Sequence, residues 1–422
     1  MSAVGIIAEF DPFHDGHAYL IREARKLTGA DHVVVAMSGD FVERGEPAVF
    51  DKFERARAAV RGGADVVFEL PTAYATSGAK IFSEAGVRLL SATGVVDSIC
   101  FGSECGDIET LCRASELLDN ESEEFKSALL KYQKEGDSYP KAREKALLCL
   151  GVSEDLIRVM REPNNILGIH YISAISNYCN GIKPYTIKRK GAGYHDRNTT
   201  GEGFKSASEI RAGIFERAAG NRVGIFERAA GNRAGTIEDG SENDFGKLNK
   251  ELINYGSCPI CADDFSQVLF ARLLSLTPEQ LTRFADVTEP LAMAAMKHRE
   301  KSMSFSELVS KVKSKNNLYT SVSRALLHVV LDMKEEIRPA AGGLKVPYLR
   351  LLAFKESSSG LLRSMRDNTV CPLITKPADA PCRDDELFKL DIRAASLYNG
   401  AVLAKYGVRM EEDMKRGPVI VR

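Results

Sequence analysis

The feature that most constrains this chain is its opening, AVGIIAEFDPFHDGHAYLIREAR, residues 3–25. A short apolar run, Val4–Ala8, leads into Asp11-Pro12-Phe13-His14-Asp15-Gly16-His17 and from there directly into a helical pattern. Pro12 and Gly16 impose a tight turn. A strand that turns straight into a helix aims the helix's free N–H groups and positive dipole end back at the turn, which makes the turn a phosphate site. Two imidazoles three residues apart can face that site together and donate to phosphate oxygens as charge builds on them. Spacing alone leaves H-x-x-H open to other uses, a loop cap or a metal pair. The strand–turn–helix setting favours phosphate.

The theme repeats. The apolar runs Val4–Ala8, His32–Met37, Asp65–Leu70 and Ser98–Phe101 alternate with helix-like stretches at Gly16–Leu27, Asp51–Gly62 and Lys80–Ser91. Buried strands alternating with amphipathic helices predict βαβ units and a parallel sheet covered on both faces, a Rossmann-like α/β fold. Helices are predicted over Asp107–Leu118, Glu121–Glu135, Tyr139–Leu150 and Asn165–Tyr178, with a strand over Lys183–Arg189. The ten-mer GIFERAAGNR occupies 213–222 and recurs at 224–233. Its 11-residue period keeps helical phase, but two copies are too few to stack as a repeat architecture. It reads as a local duplication. The polar, Gly-rich stretch 234–246 predicts a boundary between 1–245 and 246–422. The second part is expected to be mostly helical. Ser304-Phe-Ser-Glu307 reads as a capping box, Ser321–Met333 and Asp384–Asn399 have helical spacing, and Val346–Phe354 is a candidate strand.

Composition enters through charge. The 57 Lys and Arg nearly cancel the 58 Asp and Glu, but not evenly along the chain. Residues 246–422 carry 27 against 21, a net of +6, and residues 1–245 carry 30 against 37, a net of −7. A basic half admits a nucleic-acid partner, although scattered solvated charges give the same totals. Lys297, Arg299 and Lys301 lie in one basic stretch, MKHREK, where they can approach a phosphate backbone together. No apolar run reaches about 18 residues, so no membrane span is expected. The opening residues have no basic stretch and meet Glu9 early, so no secretory signal is expected. The nine cysteines then read as reduced thiols of a cytoplasmic protein. Cys258-Pro-Ile-Cys261 is a C-x-x-C, but Cys371 and Cys382 are spaced too widely to complete a zinc site, and no metal site is expected.

Phe13-His14-Asp15-Gly16-His17 resembles the HxGH signature of the nucleotidyltransferase superfamily, whose members bind ATP on a Rossmann-like sheet and release pyrophosphate. KSASEIR (205–211) resembles that superfamily's second element, which closes over the ATP phosphates. Ser206, Ser208 and Arg211 near a helix start would form such a clamp. Seven motifs occur in order: EFDPFHDGH (9–17), MSGDFVERGEPA (37–48), FELP (68–71), FGSE (101–104), EPNNILGIHY (162–171), IKRKGAGYHD (187–196) and KSASEIR. Together they resemble the tRNA(Met) cytidine acetate ligase family. That family usually has Asn at the position of Asp11 and Gln at that of Glu43.

The resemblance implies a two-stage enzyme. It activates acetate with ATP to acetyl-adenylate, then acetylates the wobble cytidine of elongator tRNA(Met) to N4-acetylcytidine. It implies His14 and His17 as catalytic residues and ATP as substrate, with Mg²⁺ on the leaving pyrophosphate and no acetyl-CoA. The implied ATP contacts are Ile7, Ala8, Glu9, Phe10, Asp11, Pro12, Phe13, His14, Asp15, Gly16, His17, Ala18, Tyr19, Leu20, Gly102, Asn165, Lys188 and Arg189, with Ser206, Ser208 and Arg211 on the phosphates. The residues agree with this. Gly102 ends an apolar run where a sheet edge meets ligands, and a glycine there admits close backbone approach. Asn165 starts a helix and also reads as a cap, with Asn164 a near-equal candidate. Lys188 and Arg189 end a strand. Ser38, Gly39, Arg44 and Gly45 form a polar loop that borders acetate or cytidine. Two rival readings are an adenylyltransferase for a small metabolite and a non-catalytic RNA-binding protein on this fold. The long C-terminal region speaks against the first, and the intact His14, Gly16, His17 and Arg211 against the second.

Overall fold

The computed structural model describes residues 2–120, 122–190, 206–220, 258–314, 317–338 and 342–422. Its N-terminal part alternates as the sequence predicts. In order come β1 (Ala3–Ala8), α1 (Asp15–Thr28), β2 (His32–Ser38), β3 (Phe41–Val42), β4 (Glu46–Pro47), α2 (Lys52–Arg61), β5 (Val66–Leu70), α3 (Thr72–Ala75), α4 (Ala79–Ala92) and β6 (Val96–Ser103). Then follow α5 (Ile108–Asp119), α6 (Glu123–Lys134), α7 (Tyr139–Cys149), α8 (Glu154–Val159), α9 (Pro163–Tyr178), β7 (Lys183–Lys188) and α10 (Ala207–Gly220). The C-terminal part is mostly helical, its longest helix being Glu386–Tyr406, but it also supplies β8 (Leu349–Lys355), β9 (Leu373–Ile374) and β10 (Val419–Val421).

One eight-stranded sheet runs β10-β8-β5-β2-β1-β6-β7, with β9 beside β8. All pairings are parallel except β5 with β8. The strands are apolar on both faces because both are covered. Along β2, Val33, Val35 and Met37 meet Ile21 and Phe53 from α1 and α2 in one core cluster. Val34 and Ala36 belong to the other, with Phe82 of α4 and Ile169 of α9. The chain leaves β1 outward through β2 to β5, then crosses to β6 and β7 on the far side. The C-terminal ends of β1 and β6 therefore flank the topological switch point, where open α/β sheets bind ligands.

The boundary near residue 245 does not separate two sheets. The second ten-mer at 224–233 and the polar stretch 234–246 lie outside the described residues. Beyond them, β8 pairs with β5 (Val66 opposite Phe354, Val67 opposite Ala353) and closes an edge that would otherwise expose a row of unpaired backbone groups. Charge ties the tail down as well. Lys52 is 1% exposed, and its Nζ lies 2.8 Å from Glu69, 3.2 Å from Asp413 and 3.8 Å from Asp40. Arg350 joins Asp413 at 3.2 Å, and Arg416 joins Asp51 at 2.6 Å. Among the described residues no helix is long and apolar enough to cross a membrane.

Candidate active site

The turn after β1 holds both histidines at the start of α1. His14 is the N-cap residue, and its Nδ1 accepts from the Gly16 N–H at 3.1 Å. The His14 backbone N–H donates in turn to His17 Nδ1 at 3.3 Å. These two bonds fix the tautomers. With both Nδ1 atoms accepting, each neutral ring carries its proton on Nε2, and neither Nε2–H has a hydrogen-bond partner among the described residues. The rings stack at 3.8 Å and 24°. Phe10 and Phe13 hold His17 from behind, at 4.8 and 5.7 Å between centroids.

Burial, then the Arg189 and Arg211 guanidinium groups, lowers the His14 pKa to about 4. Burial, then His14 and Arg189, puts His17 well below the usual imidazole range. Both rings are thus neutral N–H donors at physiological pH. Unfolded histidines titrate near the ordinary value of about 6.5. The stability these neutral rings contribute is therefore present above that value and lost as pH falls toward 4. Phosphate-directed activity should accordingly show no acid limb near pH 6.5 and should fall only toward pH 4. A pH–rate profile checks this, and an inflection near 6.5 would contradict it.

The structure brings Arg189 and Arg211 to the same turn, where both act electrostatically on His14. Arg211 donates to the Asp11 carbonyl at 2.8 Å and to the Ser208 hydroxyl at 3.1 Å. Asp11 is the extra carboxylate of the turn. It accepts from the Val49 N–H at 2.7 Å and lies 3.6 Å from Arg211, so a backbone donor and a cation already compensate it. Ser206 caps α10, exchanging hydrogen bonds with Glu209. A Cβ on Gly102 would lie 3.2 Å from Arg189 Cγ, so the missing side chain makes room for the arginine stem. Lys188 is exposed at the end of β7, level with Ser103 of β6. Phe10, Phe13 and Ala18 pack into the core and can offer a ligand only their backbone.

Asn165 is not the cap of its helix; Glu162 occupies that position. The Asn165 side-chain oxygen accepts from the Glu104 and Cys105 N–H groups at 2.9 and 3.2 Å, and its amide donates to the Val159 carbonyl at 3.0 Å. Glu104 reciprocates, accepting from the Asn164 and Asn165 N–H groups at 3.2 and 2.8 Å. These bonds lock the β6 end to α9. Arg55 is a positioning residue the sequence conceals. It is 1% exposed and donates to the carbonyls of Glu9 at 2.6 Å, Ser38 at 3.1 Å and Phe50 at 2.9 Å, as well as to that of Gly39. One guanidinium so gathers the ends of β1 and β2 beside the switch point.

Of the basic stretch, Lys297 and Lys301 are exposed. Arg299 is spent internally, donating to the Leu273 carbonyl at 2.8 Å. Cys258 and Cys261 are half-buried and not joined in a disulfide, and no group of three or more His, Cys, Asp or Glu side chains is gathered as a metal would need among the described residues.

The family model for HIGH nucleotidyl transferases matches residues 1–413. The chain is 34% identical to the tRNA(Met) cytidine acetate ligase of Alkaliphilus metalliredigens, over 99% of this chain and 98% of that one. It is 32% identical to the protein of the same name from Clostridium perfringens, with 100% of both covered. Among solved structures it is similar to Thermotoga maritima TmcAL bound with alpha-thio ATP, with a TM-score of 0.84, 29% identity and full coverage of both chains. The apo form of that protein gives a TM-score of 0.86 at 30% identity. The histidine turn at the switch point and the match along both halves agree, and the chain belongs to the tRNA(Met) cytidine acetate ligase family of HIGH nucleotidyl transferases.

Proposed function

We propose that the chain is an ATP-dependent ligase that activates acetate and transfers the acetyl group to the wobble cytidine of elongator tRNA(Met) in the cytoplasm. The observation that carries this is the pair of neutral imidazoles, each with a free Nε2–H, at the α1 N-terminus beside Arg189 and Arg211. In the first stage an acetate oxygen attacks the α-phosphorus of ATP and pyrophosphate leaves. The Nε2–H donors of His14 and His17 stabilise charge on the α-phosphate oxygens. Arg211, oriented by Ser208 and the Asp11 carbonyl, takes phosphate together with Lys188 and Arg189. The α10 N-terminus capped by Ser206 adds its dipole. In the second stage the cytidine N4 attacks the acetyl carbon and AMP leaves. Acetate supplies the acetyl group, so no acetyl-CoA is required.

A Mg²⁺ ion on the pyrophosphate needs few direct protein ligands, because this ion keeps several of its waters. Asp15, whose Oδ1 is buried without a hydrogen-bond partner, is the residue that would take such a water. When bound, the ion neutralises charge on the leaving group.

The ATP residues belong to 1–245 and the positive excess to 246–422, so the C-terminal part carries the tRNA backbone. Because Arg299 is engaged with Leu273, Lys297 and Lys301 are the residues to change. The double Ala variant should weaken tRNA binding, flatten its salt dependence and leave acetate-dependent ATP–pyrophosphate exchange intact. An unchanged salt slope would move the RNA surface elsewhere. The reading as a whole is tested by ATP–pyrophosphate exchange with and without acetate, beside a gel shift with tRNA. Exchange without tRNA binding would favour a small-metabolite adenylyltransferase, and binding without exchange a non-catalytic RNA-binding protein.

A further inference from the structure

We propose that Glu46, Arg44 and Tyr319 form the subsite for the Watson–Crick edge of the cytosine base, with the Glu46 carboxylate accepting from the reactive N4 amine. The inference rests on the reading above and names residues for its second stage.

The geometry starts with the β3–β4 hairpin. The Glu43 N–H donates to Glu9 at 2.8 Å, which holds the hairpin against the end of β1. From the other side the helix Tyr319–Leu331 grips its tip. Arg324 donates to the Glu43 carbonyl at 3.2 Å and its carboxylate at 3.0 Å, and the Ser323 hydroxyl donates to the Gly45 carbonyl at 2.8 Å. Gly45 has φ +77°, and a Cβ there would lie 2.3 Å from the Arg324 nitrogen, so the tip is seated directly on that helix. The residues on either side of Gly45 are thereby fixed between the histidine turn and the C-terminal helices. Arg44 and Glu46 are half-buried, yet their side chains make no hydrogen bond among the described residues.

Their surroundings state what they fit. Arg211, which holds the Asp11 carbonyl of the turn, is the cation that acts most on Glu46, with Arg44 next. Glu46 also acts on the half-buried Tyr319 ring, next to Leu318, which is 60% exposed. The carboxylates of Glu9, Asp11, Glu43 and Glu46 meet the guanidinium groups of Arg44, Arg211 and Arg324 there, so the tip offers both acceptors and donors. A neutral base that offers N–H donors suits it. Cytosine presents an N4 amine beside the acceptors N3 and O2. A carboxylate accepts from N4, a guanidinium fork donates to N3 and O2, and an aromatic ring stacks on the base.

The position also suits the chemistry. Arg211 belongs to the phosphate clamp, so a carboxylate near it lies near the acetyl–phosphate bond. The N4 lone pair forms the bond to the acetyl carbon, the carbon–oxygen bond to phosphate breaks, and AMP leaves with that electron pair. The surplus N4 proton passes to Glu46.

Glu46→Gln and Arg44→Met separate the stages, and circular dichroism confirms that each variant is folded. Both should retain acetate-dependent ATP–pyrophosphate exchange. Transfer from preformed acetyl-adenylate to an anticodon stem-loop should fall by about 10²-fold or more in Glu46→Gln, the size of a general-base effect. Arg44→Met should mainly raise the stem-loop KM. Fluorescence titration should find the wild type preferring cytidine over uridine at the reacting position, with the preference lost in Glu46→Gln, whose amide can donate to uridine O4. Wild-type transfer and base preference in Glu46→Gln would overturn the proposal. So would loss of pyrophosphate exchange in both variants, which would assign them to acetate or ATP instead. If the wild type lacks exchange but shows a Glu46-dependent base preference, the ligase reading falls and the subsite stands.

Discussion

Replacing His14 or His17 with Ala should lower acetate-dependent ATP–pyrophosphate exchange by about 10²–10³, the effect of removing one preorganised donor. In the proposed mechanism the charge that these Nε2–H groups meet develops only in the transition state, so kcat should fall more than ATP affinity. The two variants should differ in stability for reasons visible in the structure. His14 caps α1 through Gly16, and loss of such a cap costs about 1 kcal/mol. His17 instead packs against Phe10 and Phe13, so its removal leaves a cavity. Thermal unfolding of each variant therefore accompanies the kinetics. Near-wild-type exchange in either folded variant would remove that histidine from the mechanism.

Lys52→Met should destabilise the protein by about 3–5 kcal/mol, the cost of leaving buried charges unpaired. Lys52 is the cation between Glu69, Asp413 and Asp40, and from α2 it reaches Asp413 of the C-terminal tail across 361 positions of sequence. Glu69 and Asp40 already have pKa values pushed up to about 7 by burial, against the pull of Lys52. Without Lys52 both should hold protons still more strongly. A second change, Glu69→Gln, removes the nearest orphaned carboxylate, so the double variant should recover part of the loss. Urea unfolding of the three proteins checks this. A single variant as stable as the wild type would show that the cluster is not a structural tie.

These two sets of residues also mark what the sequence makes legible. The histidine turn could be read because its signal is local: an apolar run, a Pro and Gly turn, and a helix start adjoin in the chain. The strands around it could be read because burial on both faces leaves continuous apolar runs. Lys52 and Arg55 could not, since a charged residue in an amphipathic helix reads as solvated, and only the fold reveals the carboxylates or carbonyls around it. The same holds for Asn165, whose partners Glu104 and Cys105 lie 61 and 60 positions away. β8 was visible as an apolar run, but its partner was not, because strand pairing depends on tertiary context. The hairpin at Phe41–Pro47 leaves no mark in the sequence, because two-residue strands have no periodicity to detect. Arg299 shows the converse error: a basic run suggests three phosphate contacts, and the fold uses one of its members to bind a carbonyl.

The central claim is that acetate, activated by ATP, becomes the acetyl group of a tRNA cytidine. Nucleoside analysis of elongator tRNA(Met), incubated with the protein, ATP and labelled acetate, tests it most directly. Label is expected in N4-acetylcytidine at the wobble position, with one AMP and one pyrophosphate formed per acetyl group and no requirement for acetyl-CoA. Unlabelled tRNA in the presence of acetate-dependent pyrophosphate exchange, or label that appears only from acetyl-CoA, would contradict it.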